Sequence, residues 1–256
     1  MIKVDCKAYA DQILDLVKAI PHKKELMIFT AGDDPASAAY MKGKMKDAER
    51  CSVPCEIVHV DNQGELVASL LVASNCDRVG GIIVQLPLPE GFDEDEAMKF
   101  IFREKDVDGF KPNTSFLPCT PEGILHILHK ECGNLEGKTA LVIGRGKLVG
   151  MPVAEMLLKE NCTVTIAHSK TTNLDDLIKR HDIIVSGVGK AKLIDLKKCN
   201  AEIVIDAGIN RDENGKLCGD CFNFDPDDGS NMKVTTVPNG IGLMTRAMLM
   251  KHMGRC

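Results

Sequence analysis

The chain has 256 residues, 44% of them hydrophobic, enough for one large domain or two modest ones and too apolar for a disordered chain. A net charge of −5 argues against nucleic acid or an anionic membrane surface as the main partner. No apolar run reaches the ~18 residues of a membrane span. The opening MIKVDCKAYADQ lacks a signal-peptide core, and eleven irregularly spaced Cys read as reduced thiols, so a cytoplasmic protein is expected.

In chain order, a helical pattern over Tyr9–Ala19 comes first, then a strand at Leu26–Thr30. Gly32-Asp33-Asp34-Pro35 leads into a helix over Pro35–Ala48, which carries Tyr40 and Lys44 four apart and therefore on one face. A strand at Cys55–Val60 and a helix at Gln63–Ser74 follow. The next strand, Gly81–Leu86, runs into Pro87 and Pro89. Proline stops ladder pairing, which puts Gln85 at the carboxyl end, where ligand clefts of open α/β sheets lie. A helix over Glu94–Phe102 leads to Lys105-Asp106-Val107-Asp108-Gly109. Taken singly, these are ordinarily a solvated lysine, a strand-end glutamine and a turn aspartate.

The stretch KPNTSFLPCTPEG holds three prolines, so a boundary is expected near 112–120. Beyond it, helices at Pro121–Lys130, Pro152–Glu160 and Leu174–Lys179 alternate with strands at Thr139–Gly144, Cys162–His168, Asp182–Gly187 and Glu202–Gly208. Most strands are continuous apolar runs, as buried parallel strands are. The rhythm predicts an α/β protein with mainly parallel sheets, in two lobes around a cleft. Residues 1–118 form one expected domain, with a helix near 241–256 packing back onto it, and residues 119–240 form the other.

The sharpest local signal is TALVIGRGKLVGMPVAEMLL, a strand running through Gly144, Gly146 and Gly150 into a helix. Such glycines let backbone approach a pyrophosphate resting on the helix N-terminus. A plain strand-to-helix turn is the competing reading. The next strand ends in His168-Ser169-Lys170, without the acidic residue that usually holds a ribose 2′-hydroxyl. Arg145 and Ser169, with Lys170 at the strand end, instead offer donors to a 2′-phosphate, which predicts NADP. Cys218 and Cys221 form the only CxxC and read as a turn with incidental cysteines.

Together, GDDPAS with Tyr-x-x-x-Lys, VQLPLP, KDVDG, PCTPEG, GRGKLVGMP, HSKT, DAGIN and VPNGIGLMT resemble, in order, the bifunctional methylenetetrahydrofolate dehydrogenase/cyclohydrolase family. The resemblance covers roughly residues 29–250. It implies a Rossmann-type second lobe, a homodimer, no metal, and oxidation of 5,10-methylenetetrahydrofolate with NADP followed by hydration to 10-formyltetrahydrofolate, a one-carbon donor for purine synthesis. It implies that Lys44 is the catalytic lysine, that Gln85 hydrogen-bonds it, that Asp108 binds the pterin and that Tyr40 stacks on the folate. Gly144, Arg145, Gly146, Val149, Gly150, Ser169 and Ile209 become the cofactor-binding set, and Gly240 and Ile241 join the substrate side. A lysine serves as a base at neutral pH only where its surroundings disfavour its charge.

The chain departs from the family pattern in a short segment between Gly109 and Pro118, in Asn239 and Leu243 where relatives often carry glycine and proline, and in Gly146 where serine is common. Alternatives are a dehydrogenase without hydrolase activity, possibly using NAD, a hydroxy- or amino-acid dehydrogenase sharing only the nucleotide half, and a nucleotide-sensing binding protein. Retention of Lys44 and Gln85 argues against the first and last. The YxxxK, VQLPLP and KDVDG set argues against the second.

Overall fold

The structure, a computed structural model, describes residues 1–21, 24–111 and 114–256. Pro112 and Asn113 of the expected boundary lie outside the described residues. The chain divides into two compact units, Asp11–Cys119 with Arg246–Cys256, and Met1–Ala10 with Thr120–Thr245.

β1 (Ile2–Lys3) and α1 (Cys6–Lys18) open the chain. Then come β2 (Glu25–Thr30), α2 (Pro35–Arg50), β3 (Cys55–His59), α3 (Gln63–Asn75), β4 (Val79–Val84) and α4 (Glu94–Lys99). β2, β3 and β4 form a parallel sheet in the order β3-β2-β4. All six residues of β4 are buried, and so is its apolar run, whereas the edge strand β3 is half-buried at best. Leu66 and Leu70, one helical turn apart on α3, are fully buried beside Phe29, Ile82 and Ile101. Each such leucine contributes roughly 1.5–3 kcal/mol. Asp34 caps α2 by accepting from the Ser37 amide at 2.7 Å. α4 stops three residues short of the expected Phe102. A 3-10 turn at Arg103–Lys105 takes over, and Lys105 Nζ donates to the Cys76 carbonyl at 2.6 Å.

The other unit contains α5 (Cys119–Cys132), β5 (Thr139–Ile143), α6 (Gly150–Lys159), β6 (Thr163–Ala167), α7 (Leu174–Ile178) and β7 (Ile183–Ser186). After these come β8 (Ile194–Asp195), β9 (Ile203–Asp206), β10 (Asn210–Arg211), β11 (Leu217–Cys218), β12 (Cys221–Phe222) and β13 (Lys233–Val234), and then α8 (Ile241–Met253), which begins in this unit and passes into the first after Thr245. Its sheet is six-stranded and parallel throughout, in the order β1-β13-β9-β7-β5-β6. The strand order reverses between β5 and β7, which makes a crevice at their carboxyl ends, where doubly wound sheets bind ligands. Residues 1–10 belong to this unit because β1 pairs with β13. The last residues of α8 belong to the first unit, where the Met253 sulfur lies against Gly81 so closely that a Cβ there would meet it at 2.4 Å.

Candidate active site

The first unit assembles a buried amine. α2 lifts Lys44 to a position only 4% exposed, and its Nζ donates to Gln85 Oε1 at 3.2 Å. Gln85 follows the last residue of β4. Its amide donates to the Phe29 carbonyl at 2.8 Å, and its Nε2 donates to the Leu86 carbonyl at 2.8 Å. The side chain is thereby oriented, with its oxygen facing the lysine. The Tyr40 ring, one turn earlier on α2, has its centroid 5.1 Å from Lys44 Nζ. A neutral oxygen and a ring face flank this amine.

In Lys105-Asp106-Val107-Asp108-Gly109 the two aspartates separate. Asp106 is 1% exposed and accepts from the amides of Gly109, Phe110 and Lys111 at 3.1, 3.3 and 2.7 Å. Burial raises its pKa above the usual carboxylate value, against those three bonds. The turn-forming role that any aspartate in this motif can play thus falls to Asp106. Asp108 is half-buried, and its backbone carbonyl accepts from the Cys119 amide at 3.2 Å.

The second unit holds a cavity of about 520 Å³ at the carboxyl ends of β5, β6 and β7. Gly144, Arg145, Gly146 and Ser169 line it, so four of the seven expected cofactor residues come together. Gly144 has φ +107, and a Cβ on Gly150 would meet the Gly144 carbonyl oxygen at 2.2 Å, so both positions demand glycine. A Cβ on Gly146 would meet nothing within 4 Å. Val149 gives α6 no side-chain cap and packs on Gly187; in the first turn the Met151 amide donates to the Gly146 carbonyl at 3.1 Å and Pro152 has no N–H, which leaves the Gly150 amide facing the cavity end of the helix. Ile209 is 67% exposed and is not among the cavity-lining residues, nor is Lys170. On the substrate side, Gly240 lies in a turn where a Cβ would meet the Thr236 carbonyl oxygen at 2.3 Å. Asn239 before it has φ +69, a conformation asparagine tolerates. Ile241, which opens α8, is buried.

The sequence reading missed the groups that shape this cavity from behind. His168, Thr171, Lys190 and Leu193 also line it. Asp220, fully buried, accepts from Ser186 Oγ at 2.6 Å, from the Val188 and Lys190 amides at 2.8 Å each, and from Asn210 Nδ2 at 3.0 Å. Asp206 accepts from the amides of Gly208, Asp220 and Cys221, and burial raises its pKa. The two aspartates set the loops after β7 and β9. Asp220 lies between the cysteines of the CxxC, both of which are free thiols.

Comparison with known proteins finds one family over both parts of the chain. Residues 4–108 match the catalytic domain, and residues 118–256 the NAD(P)-binding domain, of tetrahydrofolate dehydrogenase/cyclohydrolase. The bifunctional protein FolD of Rickettsia typhi is 39% identical over 97% of this chain and 95% of its own. A crystal structure of the bifunctional FolD enzyme from Campylobacter jejuni superposes with a TM-score of 0.90 at 35% identity, covering 100% of this chain and 98% of that one. The Trypanosoma brucei enzyme, solved in complex with NADP cofactor and an inhibitor, gives 0.89 at 27% identity over 98% and 95%.

Proposed function

The chain belongs to the tetrahydrofolate dehydrogenase/cyclohydrolase family, and from that premise we propose how its residues divide two reactions. The protein oxidises 5,10-methylenetetrahydrofolate with NADP to 5,10-methenyltetrahydrofolate and hydrolyses that to 10-formyltetrahydrofolate, in one-carbon metabolism. The residues fit the dinucleotide: an uncapped helix N-terminus, the close backbone approach at Gly144 and Gly150, and a cation, Arg145, on the cavity wall. When bound, NADP supplies the hydride acceptor. Gly144, Gly146, Val149 and Gly150 hold its pyrophosphate, Arg145 and Ser169 its 2′-phosphate, and Ile209 flanks it.

Oxidation leaves a cation that two adjacent nitrogens already stabilise, so the protein contributes alignment and needs no base. Hydration asks for more. Water's oxygen bonds to the methenyl carbon, that carbon's bond to one nitrogen breaks, and the nitrogen gains a proton. Lys44 takes one proton from the attacking water and passes it to that nitrogen, with Gln85 fixing the amine, and water's second proton leaves to solvent as the formyl carbonyl forms. Asp108 binds the N–H edge of the pterin, Tyr40 stacks on the folate, and Gly240 and Ile241 complete the substrate side. The observation that carries this reading is the Lys44–Gln85 hydrogen bond beside the Tyr40 ring.

Residues 1–118 and the last helix serve folate in this reading, and residues 119–240 serve NADP. The protein is further read as a cytoplasmic homodimer whose product supplies purine synthesis. Eleven free thiols support a reducing compartment, and sedimentation at micromolar concentration tests the dimer. The deciding assay incubates purified protein with methylenetetrahydrofolate and NADP or NAD, following reduced nucleotide and the methenyl chromophore together. Reduced NADP with transient methenyl compound is expected. Equal use of NAD, or methenyl compound that never declines, would refute the assignment.

A further inference from the structure

Lys44 has a neighbour that the two reactions do not call on. Arg246, on α8, donates from Nε to Asp47 Oδ2 at 2.7 Å, and Asp47 is only 8% exposed on α2. The same guanidinium lies over Gly43, where a Cβ would meet Nη1 at 2.1 Å and Cζ at 2.9 Å. Gly43 and Asp47 are four apart, so they share a face of α2, and Lys44 stands in the turn between them. Two independent features therefore suit one occupant. A missing side chain at 43 leaves room for a planar cation, and a carboxylate at 47 pairs with it. Burial raises the Asp47 pKa, and Arg246 opposes that shift. Arg50, also on α2, pairs with Asp11 and Asp15, and its charge and that of Lys46 act on Asp47 less than Arg246 does.

We infer that Arg246 is a positioning residue for hydrolysis: seated in the Gly43–Asp47 socket, it locks the turn of α2 that presents Lys44 to Gln85. The inference rests on the role of Lys44 proposed above. A fork that covers both residue 43 and residue 47 fixes the rotation of that turn. A lysine at 246 reaches only one of the two. Oxidation depends on alignment of two bound molecules and is indifferent to a small rotation of the amine, whereas proton transfer works only over hydrogen-bond distance.

The test uses full-length Gly43→Ala, Arg246→Lys and Arg246→Met, with Lys44→Met alongside. Both activities, the NADP KM and thermal unfolding are measured on each. Alanine at 43 favours the helix and leaves the ion-pairing residues in place while forcing the guanidinium tip to shift off residue 43, so it keeps the test open should Arg246→Met fail to fold. Expected is a tenfold or greater fall of hydrolysis kcat in Gly43→Ala and in both Arg246 variants. Dehydrogenase kcat stays within about twofold and the NADP KM does not move, so the ratio of the two activities changes. An unchanged ratio in Gly43→Ala, with Lys44→Met lacking hydrolysis, overturns the socket alone. Normal hydrolysis by Lys44→Met overturns the reading beneath it as well.

Discussion

At the scale of single residues, the proposed reading separates the two reactions at Lys44. In that reading Gln85 does not titrate, Asp108 is committed to the pterin and Tyr40 to stacking, which leaves the Lys44 amine to move the proton. Lys44→Met keeps the stem and removes the amine. Hydrolysis should fall by at least ~10², the lower end of general acid–base effects, while oxidation survives in part and methenyl compound accumulates. Gln85 accepts a hydrogen bond from Lys44 and in the proposed reading acts through it, so the double variant should lose less than the two single losses combined. Arg145→Ala should raise the KM for NADP by one to two decades, since a hydrogen bond to a charged group contributes roughly 1.5–3 kcal/mol, and initial-rate kinetics with NADP varied checks it. The thiols make a third prediction. Burial pushes Cys6, Cys132 and Cys199 up to about 12, and Cys51 and Cys55 up to about 11. Only the thiolate is nucleophilic, so raising the pKa shrinks the reactive fraction at any pH below it. At pH 8 iodoacetamide should leave these five unmodified in the native protein and alkylate them after denaturation, as read by peptide mass spectrometry.

At the scale of elements, the turn from β5 into α6 does the most with the fewest residues. Gly150→Ala would bring a methyl to 2.2 Å from a backbone oxygen that has nowhere to go. It should lower the unfolding temperature and weaken NADP binding, measured by titration calorimetry, far more than Gly146→Ala, whose methyl meets nothing within 4 Å. The main elements were legible in the sequence because their apolar residues come in runs bounded by turn residues. β4 is six buried residues in a row, and the expected α3 and α7 differ from the observed helices by one residue at the end. The two-residue strands β1, β8, β10, β11, β12 and β13 were not, since a pair of residues carries no period.

At the scale of the molecule, each unit takes chain from both ends of the sequence, so folding and nucleotide binding are coupled over long separations. A ligand that binds only the folded state stabilises it by ~2.7 kcal/mol at one hundred times its Kd. NADP should therefore raise the unfolding temperature clearly. NAD at equal concentration should raise it much less, and Arg145→Ala should remove most of the difference. Differential scanning fluorimetry reads all three, and equal shifts with both nucleotides in the unmutated protein would refute the preference for the 2′-phosphate.

The sequence by itself determined what local chemistry encodes: the parallel α/β rhythm, the glycine turn, the Tyr40–Lys44 spacing on one helix face and Gln85 at a strand end. Each of these depends on neighbours a few residues away. Which aspartate of KDVDG builds the turn was settled by Asp106 gathering three amides. Asp220, among side chains from positions 186 and 210, and Arg246 on Asp47 across 199 positions have no local pattern at all. Only the tertiary structure decided those, because a buried charge must find its partners wherever the folded chain brings them, and no period in the sequence records that distance.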